Sequence, residues 1–217
     1  MAEALSAAKK RQALIREAAV TVLSETGTLT HRAVDKAAGI PAGSVNHYAP
    51  TRDKLYRLVI EYIVDVVSEA GQKAYAPLAG IAHPTPEDVV DATLNFMCSL
   101  ASERPEIAVA RTMFVGRSQA DDEIRIALRQ SRQKHVDFTA EVLRSMGDTA
   151  DPVSAAMIVA VVDGLVYQQV LLADPPFTRD ELHEILTRLY GVRRRPGDAA
   201  GQATQSDPPK PDHPPQT

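Results

Sequence analysis

Apolar residues recur at helical spacing along most of the chain, and glycines or prolines separate the runs. Between residues 10 and 25, apolar positions such as Ile15, Ala19 and Leu23 lie four residues apart, with polar residues between them. This spacing places the apolar side chains on one face and predicts a first amphipathic helix. Gly27 is expected to end it.

Residues that end or start helices are frequent in the next stretch. Thr30 is suited to cap a second, short helix, and Gly39 supplies the left-handed residue that ends it. Pro41 cannot continue that helix but can open another, because its fixed φ angle suits the first turn. Gly43 has no side chain, so another molecule can approach this third helix closely there. Pro50 ends the helix after about two turns. We therefore expect three helices with a tight turn between the second and third.

The fourth predicted helix, 51–71, is long and apolar on two faces, one containing Leu55 and Tyr62 and the other Tyr56 and Ile63. An apolar surface this wide implies burial between two sets of neighbours. We interpret this helix as a connector between a small N-terminal unit and a larger body.

Five more helices are predicted beyond the Pro- and Gly-rich link, and a capping box of Thr178 and Glu181 opens the last. Their spans are 86–104, 106–116, 121–147, 152–173 and 178–190. The expected fold is all-α with about nine helices. Residues 1–50 are predicted as one domain, 51–192 as a second, and 193–217, which hold six prolines, as a disordered tail.

Composition narrows the class of protein. A hydrophobic content of 44% supports a packed core, and Cys98 as the single cysteine excludes internal disulfides and multi-cysteine zinc sites. The N-terminus has no signal-peptide pattern. Residues 153–173 are long and apolar enough to cross a bilayer, but Asp163 and Gln168 disfavour this. We expect a cytoplasmic protein without a membrane segment.

Charge is unevenly distributed. Residues 1–57 hold nine Lys or Arg and five acidic residues, whereas the rest of the chain is acidic and brings the net charge to −4. A basic head on an acidic body favours contact between that end and a polyanion. A solvated helix face can also be basic by chance.

Residues 29–55, LTHRAVDKAAGIPAGSVNHYAPTRDKL, resemble the DNA-binding segment of the TetR family of one-component bacterial regulators. The shared features are a threonine-led second helix, a glycine and aliphatic turn, a short recognition helix with a central aromatic residue, and a capped, basic start to helix four. Two residues depart from the pattern: Ala49 stands where the family usually has Phe, and Pro41 replaces a common Ser cap. The alternative is a structural αα-hairpin with a glycine turn.

The resemblance implies that this segment binds DNA. Arg32 suits guanine and Asn46 suits adenine, whereas Arg52 matches the family's basic phosphate anchor. Val45 is expected to point into the core. The DNA-contacting residues implied are Thr30, His31, Arg32, Ala42, Gly43, Ser44, Asn46, His47, Tyr48, Arg52 and Lys54.

The resemblance also implies a homodimer that reads a palindromic operator. The last two helices are the candidates for its interface; the alternative is that their apolar faces form the monomer's core. The implied interface residues are Met157, Val161, Leu165, Gln168, Leu172, Leu182, Ile185 and Leu189.

A small-molecule cavity among the middle helices is the other implied feature. Polar residues interrupt apolar faces there, although such residues are more often satisfied within a core. The candidate pocket residues are Asn95, Phe96, Cys98, Arg111, Phe114, Ser131, His135, Asp163 and Tyr167.

These features predict a homodimeric repressor that binds double-stranded operator DNA and is released by a small-molecule effector. An enzyme is disfavoured, because the sequence has no HExxH, GxSxG or phosphate-loop motif. Neither a cofactor nor a metal site is expected. The alternative function is a non-enzymatic helical carrier or partner-binding protein.

Overall fold

Eight α-helices and short turns make up the part of the chain that the computed structural model describes, residues 2–119, 121–147, 152–172 and 177–191. The predicted all-α class is confirmed, and the number of helices is close to the nine expected. The predicted tail, 193–217, lies outside the described residues. The helices are α1 Ala2–Thr26, α2 His31–Ala37, α3 Arg52–Tyr75, α4 Pro86–Cys98, α5 Pro105–Arg117, α6 Asp122–Ser145, α7 Pro152–Leu171 and α8 Arg179–Gly191.

The predicted third helix takes a different form. Between α2 and α3 the chain makes a tight turn and then a single 3₁₀ turn, Val45–His47, instead of two α-helical turns. Gly39 ends α2 with a φ of 63°, as expected, but Gly43 also adopts a positive φ of 87°. A left-handed residue so close to Pro41 prevents a regular α-helix from starting there. We call residues 41–49 the recognition turn.

Side-chain caps fix where several helices begin. The Thr30 hydroxyl accepts from the Ala33 backbone N–H at 3.2 Å, and Thr51 accepts in the same way from Lys54 at 3.2 Å. At the start of α8, Thr178 and Glu181 form the predicted capping box, with distances of 2.7 and 3.3 Å. These local signals position the helix starts independently of the core.

The long helix α3 joins the two parts of the molecule. It packs against α1 on one side and against α4, α5 and α6 on the other. Leu55, Val59 and Ile63 are buried along it. Arg16 of α1 contacts Asp65 at 3.2 Å. The long helix predicted over 51–71 is therefore present as α3, and it continues past residue 71 to Tyr75.

The body is built from helix pairs, α6 with α7 and α4 with α8, while α5 packs against both α1 and α7. Helix α7 is long and apolar enough to span a membrane by length and composition alone, a test that core helices of soluble proteins also pass. Only 33% of its most apolar window is buried inside the chain. Much of the apolar surface of α7 is therefore uncovered in the monomer.

Candidate functional site

Asp35 of α2 holds the start of the recognition turn. Its side chain is 3% exposed, and its two carboxylate oxygens accept from the backbone N–H groups of Gly43 at 2.7 Å and Val45 at 2.9 Å. An ionised acceptor satisfies two backbone donors that would otherwise lack a partner. Asp35 thus supplies, from the preceding helix, the cap that Pro41 cannot provide.

His31 of α2 holds the other end of the same turn. Its Nε2 donates to the backbone carbonyl of Ala49 at 2.6 Å. His31 and Asp35 lie one helical turn apart on α2, so a single short helix clamps the recognition turn at both ends. The Nε2 atom of His31, a predicted phosphate contact, is therefore already engaged within the protein.

The recognition turn packs on the core through buried small residues. Val45 and Ala49 are both fully buried, so Val45 points inward as expected. Tyr56, at 1% exposure, is the buried aromatic side chain at the start of α3, and its ring meets Phe114 of α5.

The outer surface of the recognition turn carries most of the predicted DNA contacts. Ser44 and Tyr48 are half-buried, and the Ser44 hydroxyl donates to the Pro41 carbonyl at 2.6 Å. A hydroxyl engaged in this way still has lone pairs that can accept. The exposed members of the set are Thr30, Arg32, Ala42, Gly43, Asn46, His47, Arg52 and Lys54.

The guanidinium of Arg52 lies close to the aromatic ring of Tyr56. It lies 5.6 Å from the centroid of the Tyr56 ring, and its Nη2 is 3.4 Å from the Tyr56 hydroxyl. Arg117 of α5 lies 4.0 Å from the same centroid. Cations at this distance are attracted to the ring face. The predicted phosphate anchor is therefore held by a residue that also contacts the body.

The body contains a cavity of about 200 Å³ that is partly open to solvent. Five helices, α3, α4, α6, α7 and α8, contribute to its wall, which is mostly apolar and contains four aromatic residues. The lining residues are Val67, Ser68, Gly71, Gln72, Tyr75, Phe96, His135, Phe138, Thr139, Ile158, Val159, Val162, Asp163 and Tyr190. An apolar cavity with a few polar groups is suited to a small organic ligand.

His135 and Asp163 are the ionisable side chains of this wall apart from its tyrosines. His135 Nε2 is buried without a hydrogen-bond partner, and burial, aided by Arg111, holds the pKa of His135 below its usual value. Both carboxylate oxygens of Asp163 accept from Arg111, at 2.7 and 2.9 Å. The wall therefore has the neutral imidazole of His135 near the carboxylate of Asp163, whose charge is compensated by Arg111.

Hydroxyl groups form a chain at one end of the cavity. The Tyr75 and Thr93 hydroxyls are 2.7 Å apart, and the Thr93 and Tyr190 hydroxyls 3.0 Å. Burial raises the pKa of Tyr75 well above its usual value, so its phenol stays protonated. Across the described residues, no three His, Cys, Asp or Glu side chains are grouped as metal ligands.

The structure separates the predicted pocket residues into two groups. Phe96, His135 and Asp163 line the cavity, and Arg111 binds Asp163 at its edge. Five others lie elsewhere: Asn95 and Cys98 contact Arg179 at 3.2 and 3.3 Å, Phe114 and Ser131 are buried outside the cavity wall, and Tyr167 lies in an outer groove between α5 and α7.

The sequence reasoning missed the contribution of α3 to this wall, including Gly71, Gln72 and Tyr75. The predicted helix, 51–71, leaves out Gln72 and Tyr75, which belong to the last turn of α3. The available signal was the second apolar face of that helix, which predicted burial without indicating a cavity.

An apolar stripe runs along the outer side of α7. Val153, Met157 and Tyr167 on it are 73%, 48% and 47% exposed, and Ala160 and Gly164 lie between them at helical spacing. We call these five residues the α7 stripe. Apart from its chain neighbours and the backbone of its own helix, no described heavy atom lies within 4 Å of the position that a Cβ at Gly164 would take. A second helix could therefore approach closely there.

The predicted interface residues coincide only partly with this stripe. Leu165 and Leu182 are 6% and 3% exposed, which places them in the monomer's own core. Val161, Gln168, Ile185 and Leu189 are half-buried, whereas Met157 and Leu172 are exposed. The uncovered face of α7 is thus rotated relative to the face inferred from spacing.

Together, the basic head with a clamped recognition turn and the helical body with a cavity define a helix-turn-helix DNA-binding transcription regulator. The family model described as "Tetracyclin repressor-like, C-terminal domain" matches residues 84–192, half of the chain. The chain belongs to this family, the TetR family, and is not an enzyme.

Solved structures have the same fold. A transcriptional regulator from Rhodococcus sp. RHA1 is 23% identical with a TM-score of 0.63, and the alignment covers 83% of this chain and 94% of that one. The fatty acid degradation regulator FadR from Bacillus halodurans is 19% identical with a TM-score of 0.68, covering 85% and 97%. The multidrug binding protein EbrR complexed with imidazole is 23% identical with a TM-score of 0.58, covering 82% and 94%. No curated protein sequence matches the chain.

Proposed function

We propose that this regulator is a homodimeric repressor that binds a palindromic operator and is released by a small molecule in the body. The observation that carries the proposal is the exposed polar surface of the recognition turn, whose two ends are clamped to α2. A surface fixed in this way can match base edges without first being ordered. We place the protein in the cytoplasm, where its operator would be.

Within the DNA interface we assign base contacts to Arg32 and Asn46, whose side chains form paired hydrogen bonds with guanine and adenine. Thr30, Ser44, Tyr48, Arg52 and Lys54 are assigned to phosphates, and Ala42, Gly43 and His47 to the groove surface. His31 is assigned a positioning role because its Nε2 bonds the Ala49 carbonyl. Phosphate contacts fix the register, whereas base contacts give the sequence preference.

Dimerisation is proposed to occur through the α7 stripe and the half-buried Ile185 and Leu189 of α8. In a soluble protein, an exposed apolar helix face of this length is normally buried against another protein surface. A two-fold axis would place two recognition turns on successive major grooves, about 34 Å apart. One turn alone reads too few base pairs for a specific site.

Regulation is proposed to act through α3, which lines the cavity with residues such as Val67 and Tyr75 and carries Arg52 at its other end. EbrR, a protein of the same fold, was solved with bound imidazole, which supports a small molecule in such a body. A ligand that favours one position of α3 changes the separation of the two recognition turns. Coupling of about 1–3 kcal/mol is enough to regulate.

The experiment that tests the proposal is selection of bound sequences from random DNA with the purified chain, followed by anisotropy titrations at several salt concentrations. We expect a palindromic consensus and a loss of about 0.9 log unit in affinity per log unit of salt for each phosphate contact. Absence of both a consensus and a salt dependence would favour the alternative, a helical carrier without DNA.

A further inference from the structure

The cavity wall includes His135, whose Nε2 atom is buried and has no hydrogen-bond partner among the described residues. The same wall includes Phe96 and Phe138. Leaving such an atom unsatisfied costs free energy that a bound partner recovers. This atom is therefore the place where a ligand gains most from carrying a polar group.

The charges around the cavity are already balanced. Asp163 is engaged by Arg111 through both oxygens, so it has no free charge to offer a cationic ligand. The same contact pairs the Arg111 guanidinium with a carboxylate, so the two charges compensate each other. The His135 imidazole is neutral, and the Tyr75 phenol is hydrogen-bonded to Thr93. A charged ligand would lose its hydration here without gaining a counter-charge.

The size of the cavity limits the ligand further. Its volume is about 200 Å³, and an apolar cavity of about 150 Å³ is sufficient for a benzene molecule. Tyr75, Phe96, Phe138 and Tyr190 contribute aromatic rings to the wall. Offset or edge-to-face contacts with these rings favour a flat, apolar body.

We propose that the effector is a neutral molecule of about one aromatic ring that carries a hydroxyl group bonded to His135 Nε2. A hydroxyl suits either imidazole tautomer, because it can both donate and accept. This inference rests on the proposed function, since it takes the cavity as the effector site.

The test is calorimetric titration of the full chain, without DNA, with four probes of similar size. Phenol is neutral and carries the hydroxyl, toluene lacks it, and benzoate and benzylamine are charged. We expect phenol to bind about threefold to tenfold more tightly than toluene, as one net hydrogen bond gives. Both charged probes should bind at least about tenfold more weakly than phenol.

Two variants identify the atoms involved. His135→Leu should remove the preference for phenol over toluene while keeping toluene binding. Gly71→Leu should weaken both, because a side chain there enters the cavity; the added Cβ alone would be 3.9 Å from Phe96 Cε2. Circular dichroism confirms that each variant folds, and the second variant locates the site if the first is unstable.

The proposal is overturned if a charged probe binds best, if His135→Leu keeps the phenol preference, or if none of the four probes binds. An operator-release assay with the same probes separates it from the proposed function. Phenol binding with the expected preference but without release would contradict the regulatory proposal alone. Release by a charged compound that binds in this cavity would contradict only the ligand class.

Discussion

The rings of Tyr56 and Phe114 meet edge to face, with centroids 5.9 Å apart and planes at 89°. Both side chains are almost fully buried. Because Tyr56 also supports Arg52, this contact links the phosphate anchor on α3 to helix α5. On α5, Arg111 lies one turn before Phe114 and binds Asp163 at the cavity. The contact thus lies between the two proposed sites.

A double-mutant cycle measures this link. Tyr56→Leu and Phe114→Leu should each lower the free energy of unfolding, and their coupling energy in urea unfolding should be about 0.5–1.5 kcal/mol. As a control, Tyr56→Leu combined with Leu189→Ala, on the distant α8, should be additive. Additivity of the first pair would mean that the ring contact contributes nothing beyond packing.

Asp35→Ala should destabilise the recognition turn, because it leaves the Gly43 and Val45 N–H groups without an acceptor. We expect the free energy of unfolding to fall by about 1–3 kcal/mol and operator affinity to fall as well. Glu25→Ala removes the same charge from an exposed position of the same unit and is the matched control. If both variants behave alike in urea unfolding and anisotropy, Asp35 has no positioning role.

Substitutions of base-contacting and phosphate-contacting residues should have different effects on affinity for a panel of operator variants. Arg32→Ala and Asn46→Ala should relax preference at single base positions, at a cost of about 1–3 kcal/mol for the preferred operator. Arg52→Ala should weaken all sequences alike and lower the salt slope by about one per protomer. The exposed Arg129 of α6 provides the control, since Arg129→Ala should change neither property. Uniform losses from all three head variants would contradict these assignments.

Gly164→Leu should convert a dimer to a monomer without unfolding the chain. A Cβ at Gly164 would meet no described atom outside its own helix, and the residue borders the outer groove between α5 and α7, so a larger side chain there has room within the chain but obstructs an approaching helix. Gly116→Leu places the same residue at another open helical glycine, outside the α7 stripe, and should leave the dimer intact. Sedimentation velocity distinguishes the two. If both variants form dimers of equal stability, the interface does not include this stripe.

His135 should make the folded state less stable in mild acid. Its pKa is lowered in the folded state, mainly by burial and then by Arg111, whereas nearby Asp163 acts in the opposite direction. As the pH falls from about 6.5 toward this lowered value, the unfolded chain takes up the proton first, so stability decreases. Above pH 6.5 the imidazole is neutral in both states and contributes no pH dependence.

Urea unfolding between pH 5 and pH 8 measures this effect. His135→Leu should remove its part of the acid-side loss, whereas Thr139→Val, which changes the same cavity wall without a titratable group, should keep it. An unchanged pH profile in His135→Leu would show that this imidazole does not contribute to it.

Features encoded over a few residues were predictable. The capping box of Thr178 and Glu181 and the left-handed Gly39 follow from local chemistry, whereas the inward-facing Val45 was implied by the family resemblance. The Asp35 cap was not predictable from local pattern, because it reaches Gly43 and Val45, eight and ten residues further along the chain. A carboxylate on the second helix gave no indication of its partner.

The cavity shows a second limit of sequence reasoning. Asn95 and Phe96 are neighbours in sequence, yet Phe96 faces the cavity whereas Asn95 contacts Arg179. Consecutive residues on a helix differ by about 100° in direction, so periodicity without knowledge of the neighbouring helices cannot choose between them. The same limit applies to α7, where Leu165 is buried in the monomer and Tyr167 is exposed.

Because His31 and Asp35 bond both ends of the recognition turn to one helix, the turn has little freedom to change shape independently. A change in affinity must then displace the turn and α2 as one rigid unit. Under the proposed regulation through α3, the choice of bases and the response to an effector then depend on different residues. Substitutions on the outer side of the turn would change the preferred operator and leave that response unchanged.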